Sequence, residues 1–209
     1  EADRLTSEVF MLNNDLNNLS VINYEYGSVS NMIERVIKDN IIIKQFIYNN
    51  GRMSSYIKNN VTYNISYDNY GNIIAIGNKL FTYNSRNLLS NIIDGNHNYT
   101  YTYNYEGVRN SKTIDNTIIK YYLDGTRIIG EDWYENNSPS ITKKIRYFYD
   151  AEGICGLKYD GCYFKLVKDS LGNINKVMYQ GKIIGEYNYD AWGNVSVNPI
   201  SIDSDPING

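Results

Sequence analysis

Large apolar and aromatic residues alternate with polar ones along much of the chain. Tyr99-Thr100-Tyr101-Thr102-Tyr103-Asn104-Tyr105 and Tyr63-Asn64-Ile65-Ser66-Tyr67 place a bulky side chain at every second position. A period of two marks a strand with one buried face. Lys79-Leu80-Phe81-Thr82-Tyr83, Lys143-Lys144-Ile145-Arg146-Tyr147-Phe148-Tyr149 and Gly185-Glu186-Tyr187-Asn188-Tyr189 continue the pattern. Many short strands are therefore expected, with their polar face toward water. Only the first sixteen residues offer another period: Leu5, Val9, Leu12 and Leu16 stand at helical spacing after a Thr6 cap. Leu12-Asn13-Asn14-Asp15-Leu16 reads equally as a worn turn, so helix and turn both stay open there.

Between the alternating stretches a unit recurs: an aromatic, Asp or Asn, two residues, Gly or a substitute, then Asn or Arg and an aliphatic. Tyr67-Asp68-Asn69-Tyr70-Gly71-Asn72-Ile73 and Tyr189-Asp190-Ala191-Trp192-Gly193-Asn194-Val195 are its clearest copies. Tyr149-Asp150-Ala151-Glu152-Gly153-Ile154 keeps the first half, and Lys168-Asp169-Ser170-Leu171-Gly172-Asn173-Ile174 keeps the second. Weaker copies begin at Tyr24, Tyr48, Tyr83 and Tyr103. The spacing is near twenty residues, enough for two strands and their turns, apart from one long gap between Tyr103 and Tyr149. Turn chemistry explains the unit. Asp or Asn bonds its side chain back to the backbone, and Gly takes the left-handed conformation that closes the loop. The Tyr ahead of the turn is expected to stack on rings of adjacent hairpins, its hydroxyl at a polar boundary.

Composition sharpens this picture. The 209 residues include 31 Asn, 28 Ile and 22 Tyr, a mixture suited to strands and tight turns. A net charge of −3 supplies no overall basic field for phosphates, which argues against nucleic-acid binding as the main task. Apolar runs such as Ile41-Ile42-Ile43 are far short of the roughly 20 residues that span a bilayer as a helix. The chain opens on Glu1 without a basic-then-apolar leader, so its N-terminus assigns no compartment. Cys155 and Cys162 flank a hairpin whose Asp160-Gly161 turn sets Cys162 opposite Tyr159, a register that leaves the two thiols unbridged.

Candidate chemistry is sparse. The lone histidine, His97, lies in a turn-like stretch without zinc-ligand spacing around it and reads as a loop-tip residue in water. No phosphate-cradling glycine loop, nucleophile elbow or zinc-protease string occurs. The acid pairs Glu131-Asp132 and Asp203 with Asp205 lie near turns and read as solvated carboxylates. No catalytic residue, cofactor or metal ligand is assigned. Trp133 and Trp192 are the exposed aromatics a carbohydrate-binding module would use.

The turns at Tyr67–Ile73, Tyr149–Gly153 and Tyr189–Val195 resemble the YD repeats of the Rhs family, whose relatives include bacterial wall-associated proteins, Tc toxin B and C components and teneurins. The stretch from Lys168 to Val195 is similar to the opening of the Rhs repeat-associated core region. The resemblance singles out Tyr67, Asp68, Gly71, Tyr149, Asp150, Gly153, Asp169, Gly172, Tyr189, Asp190, Trp192 and Gly193 as structural positions of the repeat. It implies an all-β array of antiparallel hairpins, curved or coiled into part of a hollow, non-enzymatic shell around a C-terminal toxin, in a secreted or cell-surface bacterial protein. Its partners would be the toxin cargo and the remaining shell repeats. A cell-surface glycan and self-association through free sheet edges are further partners to consider. Asp205-Pro206-Ile207-Asn208-Gly209 has the look of the family's Asp-Pro cleavage string but follows Trp192 too soon, and cleavage is not expected there.

On this reading residues 1–20 are a degenerate repeat or short N-terminal segment, and 21–118 are repeat hairpins. Residues 119–144 form an irregular insertion, 145–197 resemble the start of the core region, and 198–209 are a loose tail.

Overall fold

The computed structural model describes residues 4–12, 15–28, 31–190 and 193–198. Among these residues nineteen strands and one short 3-10 turn account for the regular structure. The all-β expectation is borne out. The described chain divides into two units, residues up to 82 with 92–96, and 83–91 with the rest from 97 onward.

The first unit contains β1 (Ser7–Leu12), β2 (Asp15–Tyr26), β3 (Ile33–Lys38), β4 (Ile41–Asn49), β5 (Arg52–Lys58), β6 (Val61–Tyr67) and β7 (Ile73–Ile76), and most of β8 (Lys79–Tyr83). Each pairs antiparallel with the next in chain order. The helical spacing of Leu5, Val9 and Leu12 therefore ends in a strand, with Val9 opposite Val21. Propensity yields to pairing, because a lone amphipathic turn could not satisfy the backbone of the neighbouring strand.

β9 (Leu89–Asp94) follows, its first three residues in the second unit. That unit continues with β10 (His97–Tyr103), β11 (Arg109–Ile114), β12 (Thr117–Asp124), β13 (Arg127–Tyr134), β14 (Lys143–Asp150), β15 (Gly153–Tyr159), β16 (Cys162–Lys168), β17 (Ile174–Tyr179), β18 (Lys182–Tyr189) and β19 (Val195–Asn198). From β10 onward each strand again pairs antiparallel with its successor.

Alternation in sequence becomes alternation of faces. In β10 the tyrosines at 99, 101 and 103 are half-buried while the threonines between them are exposed. Among the described residues, Ile119, Phe164 and Leu166 are buried apolar side chains of the second unit, and Tyr24 of the first. Within each unit the two edges carry different turns. On one edge, Asp39-Asn40 and Asn59-Asn60 in the first unit and Asp160-Gly161 in the second close two-residue hairpins with positive φ at both positions. That left-handed geometry favours Asn, Asp and Gly, which suits Asn40, Asn59 and Asn60 to these positions. The Asp160-Gly161 hairpin sets Cys162 opposite Tyr159, and the two cysteines form no disulfide. The other edge carries the repeat turns.

Residues 119–144 hold most of β12, all of β13, a 3-10 turn at Glu135–Asn137 and the start of β14. The tail beyond Asn198, with Asp203, Asp205 and the Asp-Pro string, lies outside the described residues, as does Trp192.

Candidate functional site

The repeat turns share one hydrogen-bond pattern. Asp68 Oδ1 accepts from the amides of Tyr70 and Asn72 at 2.9 and 2.8 Å, and Asn72 Nδ2 donates to Oδ2 at 2.9 Å. The Asp68 amide donates to the Asn72 carbonyl, and the Gly71 amide donates to the Asp68 carbonyl. Asp169 repeats the set with Leu171, Gly172 and Asn173. Asp190 binds Asn194 and Gly193 in the same way. Asn84 and Asn104 fill the position with a side-chain amide oxygen, each taking two backbone amides. Gly71 adopts φ +87°, and Asn87 at the matching place adopts +61°. The bond from the Asn72 side chain, with the backbone amides, holds the Asp68 carboxyl below its ordinary range, and Asn173 does the same for Asp169. Tyr149-Asp150 differs: Asp150 pairs directly with Gly153, and its carboxylate accepts from Glu152 alone.

The tyrosine before each turn does something the sequence did not announce. Its hydroxyl donates to a main-chain oxygen at or near the start of a strand one hairpin earlier. Tyr26 reaches Leu5, Tyr48 reaches Ile33, Tyr67 reaches Met53, Tyr103 reaches Leu89, Tyr149 reaches Ile128 and Tyr189 reaches Ile174, at 2.5–3.0 Å. At the Lys168 position the ammonium substitutes, donating to the Glu152 carbonyl at 2.6 Å. The expected ring-on-ring stacking is not what these tyrosines do. Instead Arg52 lies over the ring of Tyr67, Arg127 over Tyr149 and Arg4 over Tyr26, each arginine preceding the residue whose carbonyl is bound. Rings that do stack belong to other positions, such as Tyr56 on Tyr63 at 4.8 Å.

A bulge explains why a donor is needed. The register shifts beside Tyr26, Tyr48, Tyr67, Tyr103, Leu123, Tyr149 and Lys168. A bulge breaks the local ladder and re-aims the side chain next to it. Ile33, Met53, Ile128 and Ile174 pair with Tyr26, Tyr48, Leu123 and Lys168 at those shifts. Their carbonyls receive the hydroxyl of the following unit, so one repeat completes the hydrogen bonding of the one before.

A second cluster sits between β12, β13 and β14. Asp132 is 1 % exposed, and it is bound by Arg146 Nη2 at 2.8 Å and the Tyr122 hydroxyl at 2.6 Å. Burial works to raise its pKa, but the Tyr122 and Arg146 bonds outweigh burial and hold the carboxyl below the ordinary value. The expectation of a solvated Glu131-Asp132 pair is thus corrected: the pair lies mid-strand, not at a turn. Gly130 makes room for the arginine, since a Cβ there would stand 2.8 Å from Arg146 Cδ and 3.0 Å from the Ile145 carbonyl. On the other face Glu131 accepts from the Tyr147 hydroxyl and the Trp133 indole, each at 2.8 Å. Burial and that bond push the Tyr147 phenol well above its usual range. With Lys143 5.3 Å over its ring, Trp133 is engaged on both counts. His97 begins β10, and its Nδ1 lies 2.7 Å from Asp115, whose carboxyl is lowered chiefly by that bond. Among the described residues no group of three or more His, Cys, Asp or Glu is placed to hold a metal, and no helix is long and apolar enough to cross a membrane.

These turns and their seam define an antiparallel array of YD-type hairpins. No family model matches the chain. It is 25% identical over 134 residues to the tRNA3(Ser)-specific nuclease WapA of Bacillus spizizenii, covering 62% of this chain. It is 28% identical over 136 residues to the tRNA nuclease WapA of Bacillus subtilis, again covering 62% of this chain. The chain spans about 6% of the length of these curated relatives. WapA proteins are of the Rhs family, and the resemblance read from the turns is borne out. Among solved structures it is similar to the TcdB2-TccC3 complex without its hypervariable C-terminal region, at 13% identity and TM-score 0.41, covering 95% of this chain and 14% of that one. It is also similar to the Tc holotoxin pore of Photorhabdus luminescens, at 11% identity and TM-score 0.37, covering 91% and 14%.

Proposed function

We propose that the chain is a non-catalytic stretch of a secreted or cell-surface Rhs-type toxin, one part of a β-sheet shell that encloses a C-terminal toxin until delivery. The observation that carries this reading is the seam. Turn after turn, side chains able to do chemistry are committed to the backbone, and each hairpin is fastened to its predecessor by a tyrosine hydroxyl or a lysine. A wall needs that continuity and no reacting group. The repeat positions from Tyr67 to Gly193 act structurally on this view, and the nuclease activity in the relatives' names belongs to a different segment. The remaining repeats and the cargo are its partners.

The longest natural reading frame that contains this stretch provides the test. Its C-terminal segment should resist protease in the intact protein and be cut once the seam is opened by Tyr67→Phe, Tyr149→Phe and Tyr189→Phe together. Equal cleavage of that segment alone and in the intact protein would sink the containment reading. Hydrolysis of tRNA by the 209-residue chain, lost on His97→Ala, would replace it with an enzyme. Glycan-array binding lost on Trp133→Ala would replace it with a carbohydrate-binding module, although Glu131 and Lys143 already occupy that side chain.

A further inference from the structure

The net charge of −3 is a sum over the whole chain and hides a local segregation. Strand register in the second unit puts Lys120 and Lys144 on either side of Asp132 in one cross-strand row. The next row brings Arg146, Lys158 and Tyr163 together, and the one after it Phe148, Gly156 and Lys165. Side chains two apart in a strand share a face, so all five cations stand on the same side of β12–β16. Away from the turns, the acid on that side is Asp132, which is buried and already bound by Arg146. Lys120, Lys144, Lys158 and Lys165 make no direct ion pair on this face, Lys144 acting on Asp132 only through its charge, and Lys120 and Lys158 lie over the rings of Tyr134 and Tyr163.

Aromatic rings stand among these charges. Phe148 and Tyr163 stack at 5.9 Å with planes 26° apart, and they are 42% and 62% exposed. At one end of the face a groove of about 600 Å³ is lined by Lys143, Lys144, Arg146, Lys158 and Tyr159, with Asp160 as its acid. That volume lies in the range of sites for nucleotide-sized ligands. Sheet faces that hold single strands combine these two elements, cations that track a phosphate backbone and open rings that take the bases. An acidic polypeptide would use the charge and leave the rings idle.

We propose that the exposed face of β12–β16 is a docking surface for single-stranded nucleic acid, gripped by Lys120, Lys144, Lys158 and Lys165 and stacked on Phe148 and Tyr163. This stands apart from the containment reading, which neither requires it nor fails with it.

Fluorescence anisotropy of the 209-residue chain with a labelled oligouridine tests it. Binding should weaken steeply between about 50 and about 200 mM salt. Lys144→Glu and Lys165→Glu should each lower affinity and flatten the salt dependence by about 0.7 in logarithmic slope. Tyr163→Ala should cost about tenfold at constant slope. Lys112→Glu, on the opposite face, should leave binding unchanged, and circular dichroism confirms that each variant keeps its β signature. No binding, an equal effect of Lys112→Glu, or equal affinity for an abasic oligomer, polyglutamate or a sulfated polysaccharide would overturn the proposal.

Discussion

The hydroxyl of Tyr149 donates to the main-chain oxygen of Ile128, twenty-one residues earlier, at 2.6 Å. Tyr26 reaches equally far, to Leu5, whereas at the other turns the bond reaches fourteen or fifteen residues back, as from Tyr67 to Met53 and from Tyr189 to Ile174. The reach from Tyr149 spans the loop between β13 and β14 and ends on the turn at Asp124–Arg127, where Leu123 stands beside the bulge in place of a tyrosine. Removing the hydroxyl alone isolates this link. Tyr149→Phe should destabilise the second unit by about 1 kcal/mol in urea unfolding followed by circular dichroism. An unchanged midpoint would show that the ring under Arg127, and not the hydroxyl, fastens the repeat.

Gly71 tests the turn itself. At φ +87° a side chain meets the steric penalty of the left-handed region, and a Cβ would stand 3.1 Å from Arg52 Nη2. Gly71→Ala should cost about 1–2 kcal/mol. Asn87→Gly, at the matching position of another turn, should leave stability unchanged or raise it. Equal destabilisation by both substitutions would refute the equivalence of the two turns.

The buried acid gives the sharpest stability prediction. Asp132→Ala strands the Arg146 guanidinium and should cost about 3 kcal/mol. Replacing both partners, Asp132→Leu with Arg146→Met, should recover much of that loss, because the pair's mutual attraction offsets its desolvation only in part. A double variant as unstable as the single one would assign Asp132 a role beyond neutralising Arg146.

Asp68 and Asp169 both have folded pKa values held below the ordinary 3.8, first by the side chains of Asn72 and Asn173. Their contribution is complete above that ordinary value and drains away as pH falls through the lower folded one. Acid unfolding monitored by circular dichroism should therefore steepen below about pH 4. Asp68→Asn with Asp169→Asn should flatten that limb while keeping the turns at neutral pH, as Asn84 and Asn104 keep theirs. An unaltered acid limb would place the titrating groups elsewhere.

Strand and turn were legible because their causes are local. Alternation in 99–103 and 63–67 depends on each residue and its second neighbour, and the Asp68 turn closes within five residues. The fastening between hairpins was not legible, since Tyr67 and Met53 are joined only once two strands are paired and bulged. Asp124-Gly125 is legible as a turn but not as one of the repeat series, because Leu123 carries no aromatic mark. Asp132 was misjudged for a related reason: an acid beside another acid reads as solvated until Gly130, two residues away, lets an arginine lie down over the strand. The helical spacing at Leu5, Val9 and Leu12 could not reveal that Val21 was waiting as a strand partner.

Lys168 binds Glu152 where other repeats use a tyrosine. A long side chain with a proton to give can therefore do the stitching in place of a tyrosine. A search for Tyr-Asp pairs alone will undercount such hairpins, and tallying donors that stand one residue ahead of an Asx turn will recover the missing ones.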